Sequence, residues 1–132
     1  MGEQRDLVGV GLAAFALINI LTGLFAAVDP RAFYDAIGPF PPYNEHYVRD
    51  AVAAMVGSLG VAQAIAVARR SWRVGVLGYS LLHFAFHTVN HVFDVGDADP
   101  ESAGVGAVVS LGVGALLLGW LFMRAVREER AA

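Results

Sequence analysis

Apolar residues gather into four runs of helical length, each cut off by charged residues, proline or glycine. The first covers about residues 7–28, is interrupted only by Asn19 and Thr22, and stops at Asp29-Pro30. The others cover about 46–68, 72–93 and 102–124. A bilayer span needs about 20 mostly apolar residues, within a range of about 17–25. The pattern therefore predicts an all-α polytopic membrane protein, a single domain over 1–132 built as a four-transmembrane-helix bundle. Asn44, Ser71 and Asp99 ahead of Pro100 are the expected N-caps of the last three helices. Between the first two lies Pro30–Tyr43, where Arg31–Ala36 reads as a short interfacial helix stopped by Gly38 and by Pro39, Pro41 and Pro42.

Composition agrees with lipid as the solvent. Hydrophobic residues make up 57% and charged residues only 16%, too little charge to cover a soluble domain of this size. Net charge is -3 and Lys is absent, so no nucleic-acid footprint and no retinal-type Schiff base are expected. Without Cys, disulfides, thiolate metal sites and Cys nucleophiles are excluded. Met1–Asp6 is short and polar, and the apolar run after it is too long for a cleaved leader. The first helix is therefore expected to stay.

Arginine sets the expected orientation. With four crossings, Arg5, Arg69, Arg70, Arg73, Arg124, Arg127 and Arg130 fall on one side and only Arg31 and Arg49 on the other. The positive-inside rule then puts both termini in the cytoplasm of a multi-pass plasma-membrane protein. Gly106, Ser110 and Gly114, and likewise Ala53 and Gly57, repeat at four-residue spacing. Such faces pack helices closely within one bundle or in a homodimer.

The third helix carries His83, His87 and His91, each one turn from the next, with Ser80 and Asn90 near the same face. Ionisable groups inside a membrane are costly, and they mark function by default. At the outer end of the second helix, Glu45 and Arg49, and His46 and Asp50, form i,i+4 pairs. Asp50 lies about 8 Å below the outer interface, near the level of His87. Asn19 and Thr22 share that half, whereas the cytoplasmic half holds little that is polar beyond Gln63. An outward-opening pocket is expected.

Three readings of this pocket stand. His87 and His91 with His46, Glu45 or Asp50 make a nitrogen and oxygen set for a divalent metal, Zn or Cu, with Asn19 and Asn90 as further binding groups. His83 and His91 lie about 12 Å apart along the axis, so all three histidines cannot hold one ion. Haem between this helix and His46 is a variant of the same idea. In the second reading, His83, His87 and Asp50 act as acid and base on a small apolar ligand. The third is a hydrogen-bonded seam that only ties helices together. The acidic Asp94, Asp97, Asp99 and Glu101 read as a solvated loop, and Trp72, Trp120, Tyr43 and Tyr47 as interface anchors.

The Pro-rich outer loop, the Asn44-Glu45-His46-Tyr47-Val48-Arg49-Asp50 entry and the His-rich end of the third helix resemble the DoxX-like small four-helix membrane proteins of unknown function. That resemblance implies the four-helix membrane fold and no particular reaction. More distantly, the layout is similar to sterol-isomerase-like membrane proteins, where acidic and His residues act on apolar ligands.

Overall fold

The computed structural model describes residues 6–131, so Arg5 lies outside the described residues. These residues form helices and connecting turns, with no strand among them. Helix α1 is Leu7–Val28, and α2 is the short Pro30–Ala36. Helix α3 is Glu45–Ala68, α4 is Arg73–Phe93 and α5 is Glu101–Arg130. Helices α1, α3 and α5 are each long and apolar enough to cross a membrane. Helix α4 matches them in length but carries Arg73, Ser80, three histidines, Thr88 and Asn90, which lower its hydropathy.

Local chemistry explains most boundaries. The Asp6 carboxylate accepts from Gly9 N–H at 2.8 Å and caps α1. Asp29 caps α2 through Ala32 N–H at 2.9 Å, with Pro30 in the first turn. Asn44 caps α3 through Tyr47 N–H at 3.1 Å, as expected. Two expected caps differ. Ser71 falls inside a 3-10 turn over Arg70–Trp72, and α4 begins with no side-chain cap. Asp99 stands one residue too early for α5; its N–H donates instead to the Pro39 carbonyl at 2.9 Å and links the two loops. Helix α5 also continues through Arg130 rather than stopping near 124, because Arg124, Arg127, Glu128 and Glu129 are compatible with a helix that has left the apolar phase.

Within α3, residues Val48–Val56 are wound as a π-helix between the α-helical segments Glu45–Tyr47 and Gly57–Ala68. Nine residues is long for a form usually confined to single-turn bulges. It ends where α3 crosses α1 most closely. A Cβ on Gly23 would stand 2.6 Å from Gly57 Cα, and one on Gly60 would stand 2.7 Å from Ile20 N. Ala53 and Gly57 therefore serve contact inside the chain, as does Gly114, which lies beneath the Phe84 ring. Gly106 faces open space.

Two apolar clusters divide the molecule. Val8, Leu12, Ala66, Leu77, Leu118, Leu121 and Ala125 join all four long helices at the arginine-rich end. At the loop-rich end the cluster is Ala26, Phe33 and Val48, drawn from α1, α2 and α3 alone. Here α3 packs on α1 and α2, away from the histidines of α4.

Candidate functional site

The histidine row forms as its spacing requires. The His83 and His87 ring centres are 5.8 Å apart, and those of His87 and His91 are 4.7 Å apart. His91 Nε2 and His87 Nε2 approach to 3.0 Å. His91 Nδ1 lies 3.1 Å from Asp94 Oδ1, at the C-terminus of the same helix. Asn90 Nδ2 stands 3.4 Å from the other Asp94 oxygen. Phe40, from the Pro-rich segment, covers the His91 ring at 4.6 Å between centres. The His91 side chain is 12% exposed.

This arrangement fixes ring orientation. An ionised carboxylate only accepts, so Asp94 holds the proton of His91 on Nδ1 and turns Nε2 toward His87. The result is a carboxylate–imidazole–imidazole chain running down one helix face. His83 continues the row toward Tyr79, whose ring centre is 6.4 Å away.

The expected partners from α3 do not join it. Val48 turns inward against Ala26 and Phe33, and Arg49 Nη1 donates to the Ala27 carbonyl at 3.1 Å. That packing fixes the rotation of the helix and leaves Glu45, His46 and Asp50 facing out. Glu45 pairs with Arg49 at 3.1 Å and His46 with Asp50 at 3.2 Å, both on the surface. The side chains of His46 and Asp50 are 85% and 68% exposed. The expected set of His87, His91, His46, Glu45 and Asp50 is therefore not assembled. Among the described residues, no group of three or more His, Asp or Glu side chains is placed to hold one metal ion.

Asn19 also has other work. Its Nδ2 donates to Gln63 Oε1 at 2.9 Å, and Gln63 Nε2 donates to Ser80 Oγ at 3.0 Å. Ser80 Oγ in turn donates to the Val76 carbonyl at 2.7 Å. All three side chains are buried, so α1, α3 and α4 are joined by a satisfied amide and hydroxyl seam. This seam shares only Asn19 with a seam drawn through the histidines, Asn90 and Asp50. It is built on Gln63, not on the histidines or Asp50.

Two residues matter more in the structure than the sequence pattern indicates. Asp94 reads as part of a solvated acidic loop, yet it stands three residues after His91, a spacing that places both on one face. Gln63 reads as an isolated exception in an apolar half, although a lone buried amide in a span demands partners. At the arginine-rich end, Arg73 is 5% exposed and its guanidinium grips Asp6. No protein-family model matches the chain, and neither a curated protein nor a solved structure does.

Proposed function

We propose that this chain is a multi-pass plasma-membrane protein that binds a divalent transition metal between His87 and His91. In this reading α4 is the fourth span, α2 rests on the outer interface, and both termini are cytoplasmic, in keeping with the arginine bias and the DoxX-like resemblance. The observation that carries the metal reading is the 3.0 Å separation of the two Nε2 atoms. Metal–imidazole bonds are about 2.0–2.1 Å, so an ion shared by these atoms would subtend about 95°. That angle fits adjacent positions of a tetragonal ion such as Cu(II) and is narrow for tetrahedral Zn. Asp94 supports it. A metal-bound imidazole almost always gives its other N–H to a carboxylate or carbonyl, and His91 does so. The protein supplies two nitrogens, leaving the remaining positions to solvent or a small ligand.

Electron paramagnetic resonance of the detergent-purified protein with one equivalent of Cu(II) tests this. The expected spectrum is tetragonal with coupling to two imidazole nitrogens, falling to one in His87→Ala and in His91→Ala. A spectrum of free Cu(II), or one unaltered by both substitutions, would overturn it.

A second reading rests on the same distance. With a proton instead of a metal between the rings, Asp94, His91 and His87 form a relay that leaves His87 Nδ1 as a general base for an apolar ligand. Nitrogen NMR of histidine-labelled protein in bilayers checks it, by showing a shared proton between the Nε2 atoms and turnover-linked change at Nδ1. Two rings with no mutual coupling would exclude the relay.

A further inference from the structure

The arginine-rich end carries a second charged feature, on the far side of the molecule from the histidine row. Along α5, Trp120, Arg124, Arg127 and Glu128 line an open crevice of about 310 Å³. The Arg124 guanidinium lies over the Trp120 ring, 5.4 Å from its centre. Its Glu128 contact is long, at 3.9 Å, and leaves most of its donors free. Arg127 is exposed beside it. The same end presents Arg69 and Arg70, both exposed, and Trp72, which is 45% exposed. Arg73 does not contribute, because Asp6 neutralises it. Glu128 and Glu129 oppose Arg69, Arg70, Arg124, Arg127 and Arg130, so cations prevail.

We infer that this crevice binds the phosphodiester headgroup of an anionic phospholipid. The inference rests on the membrane reading above and is independent of the metal. Charge complementarity selects the ligand. Arginine forks match phosphate oxygens, and a guanidinium stacked on an aromatic ring keeps its edge N–H groups available. Tryptophan favours the headgroup level of a bilayer, which sets the crevice at the depth of lipid phosphates. The exposed apolar wall of α5 just above it, with Val113, Leu116 and Leu117, suits the acyl chains.

Each basic residue near an anionic surface contributes about 1 kcal/mol, so Arg124 and Arg127 together give a roughly thirtyfold preference for anionic over zwitterionic lipid. Native mass spectrometry of the full chain, titrated with phosphatidylglycerol or phosphatidylcholine, reads that ratio. The expected result is a preference of that order, reduced to a few-fold in the Arg124→Gln/Arg127→Gln variant and kept in Arg31→Gln at the opposite end. Equal retention of both lipids, or a preference that survives the double substitution, overturns the inference. Glycerol phosphate serves as the soluble arm; if it competes as well as the lipid at equal phosphate, a free phosphate is the ligand and the lipid assignment fails. Should the double variant not fold, Arg124→Gln and Arg127→Gln taken singly decide, each expected to lower the ratio several-fold. A chain that stays monodisperse without detergent would instead defeat the membrane reading, a result separate from lipid selectivity.

Discussion

Arg73 holds both carboxylate oxygens of Asp6, at 2.8 and 2.7 Å, across 67 positions of sequence. The same carboxylate caps α1 through Gly9, and the same guanidinium donates to the Ala66 and Val67 carbonyls. One side-chain pair thus fastens the start of α1 to the turn between α3 and α4. The Arg73 hydrogen bond is the largest influence on Asp6 and lowers its pKa to about 2 from 3.8. A depressed acid pKa stabilises the fold above the unfolded value and ceases to do so as pH falls through the folded one. Thermal midpoints of the detergent-solubilised protein are expected to hold above about pH 4 and drop between about pH 4 and 2. Asp6→Asn should flatten that segment of the profile.

The same pair separates charge from capping. Asn caps a helix about as well as Asp, so Asp6→Asn removes the ionic partner of Arg73 and keeps the cap. Breaking a buried pair costs about 3–5 kcal/mol, but Asp6 is 39% exposed. Solvent screening reduces the expected loss to about 1–2 kcal/mol. Asp6→Ala should cost about 1 kcal/mol more for the lost cap. Chemical denaturation of both variants gives the difference.

Gln63 is the hub between Asn19 and Ser80, so Gln63→Leu strands the buried Asn19 amide and leaves Ser80 only its bond to the Val76 carbonyl. Each unsatisfied group costs about 1–3 kcal/mol, whereas replacing all partners with apolar groups is nearly neutral. The Asn19→Leu/Gln63→Leu/Ser80→Ala combination is therefore expected to be more stable than Gln63→Leu alone. Melting curves that show simple additivity would refute the seam as a single unit.

Close approach at Gly23 and Gly60 involves neighbouring backbone, which cannot yield. Gly23→Ala and Gly60→Ala should each destabilise by about 1–3 kcal/mol. Gly75 and Gly106 meet nothing within 4 Å. Their alanine variants should be neutral or up to about 1 kcal/mol more stable. Parallel unfolding of the four variants makes the comparison.

If the metal sits between His87 and His91, losing the orienting carboxylate weakens it by about 10–100-fold. Asp94→Asn should show that loss in competition with a chromophoric chelator. His46→Ala and Asp50→Asn should bind as the unaltered chain does, since both face outward on α3.

Helix positions were legible because apolar run length and a few capping residues dictate them locally. The histidine row was legible for the same reason: four-residue spacing on one helix needs no tertiary information. What faces that row was not. Matching depths for Asp50 and His87 says nothing about azimuth, and azimuth is decided by Val48 docking on Ala26 and Phe33. Asn19 likewise declared itself polar and interior without naming Gln63 as its partner. Partners within one helix can be read from spacing, but partners across helices depend on how each helix is turned.

The winding inside α3 brings Val48 to its contact with Ala26 and Phe33. In an α-helix each residue advances the face by about 100°, and the wide winding over Val48–Val56 advances it by less. Relative to the Gly57–Ala68 half, the Glu45–Tyr47 end is therefore dialled to an angle that ordinary winding would not produce. Removing a single residue from this stretch would let it close into regular turns. The outward Glu45, His46 and Asp50 would then swing as a block, and Arg49 would leave the Ala27 carbonyl. A one-residue change in length thus exchanges which charged face of α3 meets its surroundings while the Gly23–Gly57 crossing stays in place.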